Sequence, residues 1–119
     1  VLFRVDPASP VPLGDQIAGC VRGAIADGSV RTGERLPAAR ELALSLGVNV
    51  HTVLRGYQRL RDEGLLELRR GRGAVITAGA SPSRARLIEG ARDLVAQARA
   101  LGLADDEILA LIRTGLAPG

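Results

Sequence analysis

ARELALSLGVNVHTVLRGYQRLRDEG, residues 39–64, is the stretch on which the reading of the whole chain turns. Leu42, Ala43 and Leu46 recur at helical spacing, and Gly47 readily takes a left-handed backbone, so a short helix over Ala39–Leu46 with a C-terminal stop is expected. Asn49 is a good N-cap, because its side-chain oxygen can accept a free N–H of the following turn. A further helix then runs to Glu63, with Val53, Tyr57 and Leu60 on one side and Gly64 at its end. Two short helices joined by a glycine-containing turn make a helix-turn-helix.

Downstream, Leu65 to Arg70 and Ala74 to Thr77 are strand-like runs around Gly71-Arg72-Gly73, whose two glycines permit the positive φ values of a tight turn. A helix-turn-helix followed at once by a small hairpin describes a winged helix. Upstream, Leu13, Ile17, Cys20/Val21, Ala24 and Ile25 form one buried helical stripe, entered at Pro12 and left at Gly28. Gly28 to Pro37, with Val30 and Leu36 as its large apolar side chains, reads as a loop that allows for one short strand.

After Thr77 the run Ala78-Gly79-Ala80-Ser81-Pro82-Ser83 is small and flexible in composition, as in a linker. Leu87, Ala91, Leu94, Ala98 and Leu101 then form a heptad-like seam widened by Ile88 and Val95, broken at Gly102. A last helix fits Asp105 to Arg113, with Asp105, Asp106 and Glu107 at the positive end of its dipole and Ile108, Leu111 and Ile112 inward. The expected fold class is mainly α with a small β-hairpin: a winged helix-turn-helix over residues 1–78, a linker at 79–83, and a two-helix dimerisation tail at 84–119.

The 119 residues suffice for about one domain and an appendage, which disfavours an enzyme with its own cofactor fold. With 46% hydrophobic and 24% charged residues the chain has the composition of a folding protein, and no run reaches the roughly 18 apolar residues of a membrane span. No charged region followed by an apolar stretch opens it, so cytoplasm is the default compartment. A lone Cys20 excludes an intramolecular disulfide and a Cys-based metal cluster, and reads as a small buried hydrophobe. Neither a G-x-S-x-G elbow nor a phosphate-binding G-x-x-x-x-G-K-[ST] loop is present, and the only His is His51. Acid pairs such as Asp62/Glu63 are adjacent and therefore point to different sides of a helix. No catalytic residue, metal ligand or cofactor is expected.

All 16 basic residues are Arg, and the net +3 belongs entirely to residues 1–80. That is a basic patch and not a uniformly basic protein. On the third helix, His51, Arg55, Gln58 and Asp62 lie opposite the apolar side, with Thr52 and Arg59 flanking. Inserted into a major groove, its first half would bring Asn49, His51, Thr52 and Arg55 to base edges and phosphates. Arg69, Arg70 and Arg72 surround the hairpin glycines, where guanidinium groups could follow a phosphate backbone, and Arg72 ranks first among them. Arg40 stands near the start of the second helix, whose free N–H groups favour an anion. Neutralising roughly five phosphates would give a log–log salt slope of about −4 to −5.

From Pro12 to Thr77 the chain resembles the N-terminal winged-helix domain of GntR-family bacterial transcription regulators. The residues that carry this are Pro12-Leu13-x-x-Gln16-Ile17, Gly28-x-Val30-x-x-Gly33-x-Arg35-Leu36-Pro37, Arg40-Glu41-Leu42-Ala43, Leu46-Gly47-Val48, Thr52-Val53, Glu63-Gly64-Leu65 and Gly71-Arg72-Gly73. Val48 to Val53 and the short tail, with Leu101-Gly102-Leu103 before Asp106-Glu107-Ile108, are most similar to the YtrA subfamily, whose tail serves dimerisation. The resemblance implies that Arg35 and Arg40 contact phosphate or base edges, that Asn49, His51 and Thr52 open the recognition helix, and that Arg72-Gly73 form the wing tip. Ala38 departs from the family's usual Ser, and Val50 and Leu54 stand where many relatives outside this subfamily have Arg, with His51 and Arg55 as the substitutes here. The expectation is a homodimeric DNA-binding regulator, a repressor on a palindromic operator, dimerising through residues 84–116, with any small-molecule effector unknown. The alternative is a winged-helix protein-interaction module without DNA binding.

Overall fold

A computed structural model describes residues 1–118; residue 119, the last of the expected tail, lies outside the described residues. The elements are α1 (Leu13–Ala26), α2 (Ala39–Leu46), α3 (Val50–Asp62), β1 (Leu66–Arg69), β2 (Gly73–Ile76), α4 (Pro82–Ala100) and α5 (Asp105–Leu116). This is a winged helix-turn-helix followed by helices, with one small antiparallel hairpin, as the sequence implies. Among the described residues no helix is long and apolar enough to cross a membrane.

The chain divides into two compact units, Val1–Ile88 and Glu89–Gly119. In the first, Ile17, Val21 and Ile25 of α1 join Val53, Tyr57 and Leu60 of α3, Leu42 and Ala43 of α2, and Leu66 and Ile76 of the hairpin in one core. The helical spacing of the α1 and α3 residues places them on one face each, and burying those faces together is the main favourable term. Ala85 also belongs to this core and Ile88 packs against it, so the first turns of α4 are built into the unit. Residues 79–83 therefore hold a turn, the buried Ala80 and the start of α4.

The crossing of α1 and α3 depends on two glycines. A Cβ on Gly56 would stand 2.7 Å from the carbonyl oxygen of Gly14, and one on Gly14 would stand 3.2 Å from the carbonyl oxygen of Thr52. Backbone thus meets backbone where any side chain would force the helices apart. At the other end of the crossing, Arg22 and Glu63 form a bridge of 3.0 Å whose side chains are only 4% and 13% exposed. The Arg22 Nε has no partner, so the pair acts as a clamp and is not a fully satisfied network.

The N-terminal arm is tied to α1 by Gln16, which accepts from the Asp6 N–H at 2.7 Å and donates to the carbonyls of Asp6 and Val11. Cys20 is half-buried, not fully buried as the stripe implies, because it lies beneath this arm and its thiol donates to the Arg4 carbonyl. In the second unit Ala98 and Ile108 are buried. The expected inward residues Leu111 and Ile112 stay 49% and 41% exposed, since a pair of helices has only one facing surface in which to hide them.

Candidate nucleic-acid interface

Asn49 caps α3 as its sequence position requires: its side-chain oxygen accepts the His51 N–H at 2.8 Å. Val53, Gly56, Tyr57 and Leu60 are buried, which turns His51, Arg55, Gln58 and Asp62 outward. Thr52 is half-buried and lines, with Arg55, Gln58, Pro12 and Gly14, an open groove of about 370 Å³ between α3 and the start of α1. Val50 and Leu54 are half-buried, so they support α3 from its flanks.

The Tyr57 hydroxyl donates to the Pro37 carbonyl at 2.6 Å and joins α3 to the loop entering α2. Burial pushes the phenol well above its ordinary range, so it remains a donor through neutral pH. Pro37 is followed by Ala38, the N-cap of α2, which offers no side-chain acceptor to the helix. The first-turn N–H groups there are left without a side-chain cap beside the exposed Arg40.

Arg35, in the segment Gly28–Pro37 for which the sequence predicts a loop, is held by a β-bridge. It forms an antiparallel bridge with Val75, while the Ile76 N–H donates to the Glu34 carbonyl and the Leu36 N–H to the Ala74 carbonyl, both at 2.9 Å. In place of the short strand allowed for in Gly28–Pro37 there is this single bridge, on the far edge of β2. Since bridged residues share a face, Arg35, Val75 and Glu67 stand in one row on the face opposite Leu66, Ala74 and Ile76, with Val75 itself buried between its two charged neighbours. The tip is Arg70, Gly71 and Arg72, all exposed, with Gly71 at φ +80° and Gly73 at φ +72°. Both values lie in the left-handed region that glycine alone adopts without strain.

Ion pairing sorts the arginines of the first unit. Arg22, Arg59, Arg61 and Arg69 each have a carboxylate within 4.0 Å, at Glu63, Asp15, Asp62 and Glu67 respectively. Arg4, Arg31, Arg35, Arg40, Arg55, Arg70 and Arg72 have none among the described residues, and all are exposed, while Arg84 and Arg86 donate to the backbone carbonyls of Glu63 and Ala26. The outward row of α3, the start of α2 and the wing therefore carry unneutralised guanidinium groups, which is what a polyanion requires of a partner. Arg70 ranks beside Arg72 on this criterion. Its signal in the sequence was ambiguous, because Arg69 and Arg70 look alike until the strand register shows which of them faces Glu67.

The family described as "Bacterial regulatory proteins, gntR family" matches residues 13–76, which span α1 through the wing. The chain belongs to the GntR family. GntR proteins are DNA-binding transcription regulators, and that general function is the chain's own. The HTH-type transcriptional regulator Rv1152 of Mycobacterium tuberculosis is 36% identical over 107 residues, covering 90% of this chain and 88% of that protein. A match of that length continues past the wing into the helical tail. The HTH-type transcriptional repressor YtrA of Bacillus subtilis is 33% identical over 94 residues, 79% of this chain and 70% of the relative. Among solved structures, YtrA from Sulfolobus acidocaldarius, a GntR-family transcription factor, is 35% identical with a TM-score of 0.62, covering 80% of this chain and 99% of that one.

Proposed function

We propose that this GntR regulator is a homodimeric repressor of the YtrA type that binds a palindromic operator. Its DNA contacts would be made by Arg35, Arg40, Asn49, His51, Thr52, Arg55, Arg72 and Gly73. The observation that carries the reading is the coincidence of the exposed polar row of α3 with arginines that have no carboxylate partner among the described residues. Thr52, Arg55 and His51 would enter the major groove, Arg40 and the uncapped start of α2 would hold phosphate, and Arg72 with Gly73 would approach the backbone from the wing.

The partition proposed is DNA binding by residues 1–78, a connection at 79–83 and dimerisation by residues 84–119, with Ala80, Ala85 and Ile88 nonetheless packed into the first unit. Support for dimerisation comes from Leu94, Leu101, Leu109, Leu111, Ile112 and Leu116, all of which are exposed in the single chain. Apolar groups in that number on about thirty residues favour a second surface to cover them. A two-fold dimer presents two recognition helices about one helical turn apart, so its operator would repeat in inverted sense. The resemblance to a protein described as a repressor supports repression over activation.

Sedimentation at micromolar concentration combined with footprinting on the upstream intergenic region tests this. A dimer protecting two symmetric half-sites, with affinity falling steeply with salt, is expected. A monomer, or retention of DNA that ignores salt from low to physiological levels, would overturn it.

A further inference from the structure

Glu67 and Arg69 lie two residues apart on β1 and so share the face of the wing opposite Leu66, Ala74 and Ile76. Arg69 Nε donates to Glu67 Oε2 at 2.6 Å, and its Nη2 stands 2.6 Å from the same oxygen. The side chains are 49% and 46% exposed. An ion pair this exposed adds little to fold stability. The hairpin is held instead by its ladder and by Leu66, Ala74 and Ile76, which the core buries.

The pair does, however, determine where a charge goes. In the ladder Arg69 is opposite Gly73, at the root of the tip, and its carbonyl accepts the Arg72 N–H at 3.1 Å. It is therefore as near to the tip as a strand residue can be, yet its guanidinium is drawn back along β1 to Glu67. Its neighbours Arg70 and Arg72 have no such partner among the described residues.

We propose that Glu67 is a positioning residue that withholds Arg69 from DNA phosphate, so that the wing tip engages the backbone without it. This rests on the reading that the wing tip follows the DNA backbone. A guanidinium held by a carboxylate displaces no condensed counterion, whereas a freed one adds a phosphate contact to every duplex it meets, whatever the sequence. On an operator the base contacts fix the register; on arbitrary DNA the protein shifts until each cation finds a phosphate. Masking Arg69 thus restrains sequence-independent binding in particular.

The test measures binding of the full chain to a short duplex of arbitrary sequence across a salt series, for the wild type, Glu67→Gln and the double variant Glu67→Gln/Arg69→Gln. Glu67→Gln should steepen the log–log slope by about 0.9, the increment for one more neutralised phosphate, and tighten binding at low salt. The double variant removes a neutral pair and should return the slope to the wild-type value. If the double variant instead falls about 0.9 below wild type, Arg69 already contacts phosphate and the inference fails. It fails equally if the steepening persists without Arg69, since Glu67 would then act by its own charge, or if no variant changes the slope. A wild type that retains no duplex at all would overturn the DNA-contact scheme itself. Thermal melting should be nearly the same for all three proteins, which separates the effect from damage to the wing.

Discussion

The two compact units treat their apolar side chains in opposite ways. In Val1–Ile88, Ile17, Ile25, Leu60, Leu65, Leu66 and Ile76 are at most 1% exposed. In Glu89–Gly119 only Ala98 and Ile108 are buried among the described residues, while Leu101 and Leu116 are 81% and 77% exposed. Three helices and a wing enclose an interior; two helices enclose almost none. The first unit has a closed core, whereas the second has apolar surface available for a partner. The proposed DNA-reading surface lies on the unit with the closed core.

The largest break of this contrast is expected at the clamp. Glu63→Ala leaves the Arg22 guanidinium buried without its carboxylate and should cost about 3–5 kcal/mol in urea unfolding. A loss under about 1 kcal/mol would show that α1 and α3 do not depend on it.

Next comes a direct pairing of the two units. Leu60→Ala, at a site with no exposure, should cost about 2–5 kcal/mol, while Leu111→Ala, 49% exposed, should change the unfolding of a chain too dilute to associate by roughly 0.5 kcal/mol or less. The same Leu111→Ala should weaken self-association, which sedimentation would register. Equal unfolding costs for the two would erase the distinction between the units.

Gly56→Ala sharpens the contrast from the side of geometry. Its Cβ meets a backbone oxygen that has no rotamer to yield, so about 1–3 kcal/mol and a displaced α3 are expected. DNA affinity should fall more than the stability change alone accounts for, as mobility-shift titration at a temperature where the variant is folded would show.

The smallest effect concerns Tyr57. Removing the hydroxyl in Tyr57→Phe leaves the Pro37 carbonyl without its donor, at about 1–2 kcal/mol. The folded phenol titrates above the unfolded one, so its contribution is complete below the ordinary tyrosine range and is lost as pH rises through that range and beyond. Tyr57→Phe should therefore flatten the alkaline loss of stability. With one tyrosine and no tryptophan in the chain, phenolate absorbance follows the group directly. Titration of that absorbance at the ordinary tyrosine value in the folded protein would contradict its burial.

The helices were legible because their periodicity and their stops are local. Leu42 and Leu46 before Gly47, Asn49 at the entry of α3, and the glycines of the wing each state their role within a few residues. The polar row of α3 was legible for the same reason, since residue spacing and helical pitch alone decide which side chains share a face. Less was readable where partners are distant in sequence. The bridge from Arg35 to Val75, the Tyr57 bond to Pro37 and the Arg22–Glu63 clamp join residues that carry no mark of one another. Nothing in the local pattern around Gly14 and Gly56 marks the contact of two backbones there.

By itself the sequence determined a helix-turn-helix with a basic wing and a tail of apolar helices, because capping, periodicity and turn chemistry are properties of neighbouring residues. Only the tertiary structure decided which of the sixteen arginines are free to meet a polyanion, which are held by carboxylates, and which apolar faces are left uncovered. Charge pairing and burial depend on distances across the fold, and those exist only once the chain has closed on itself.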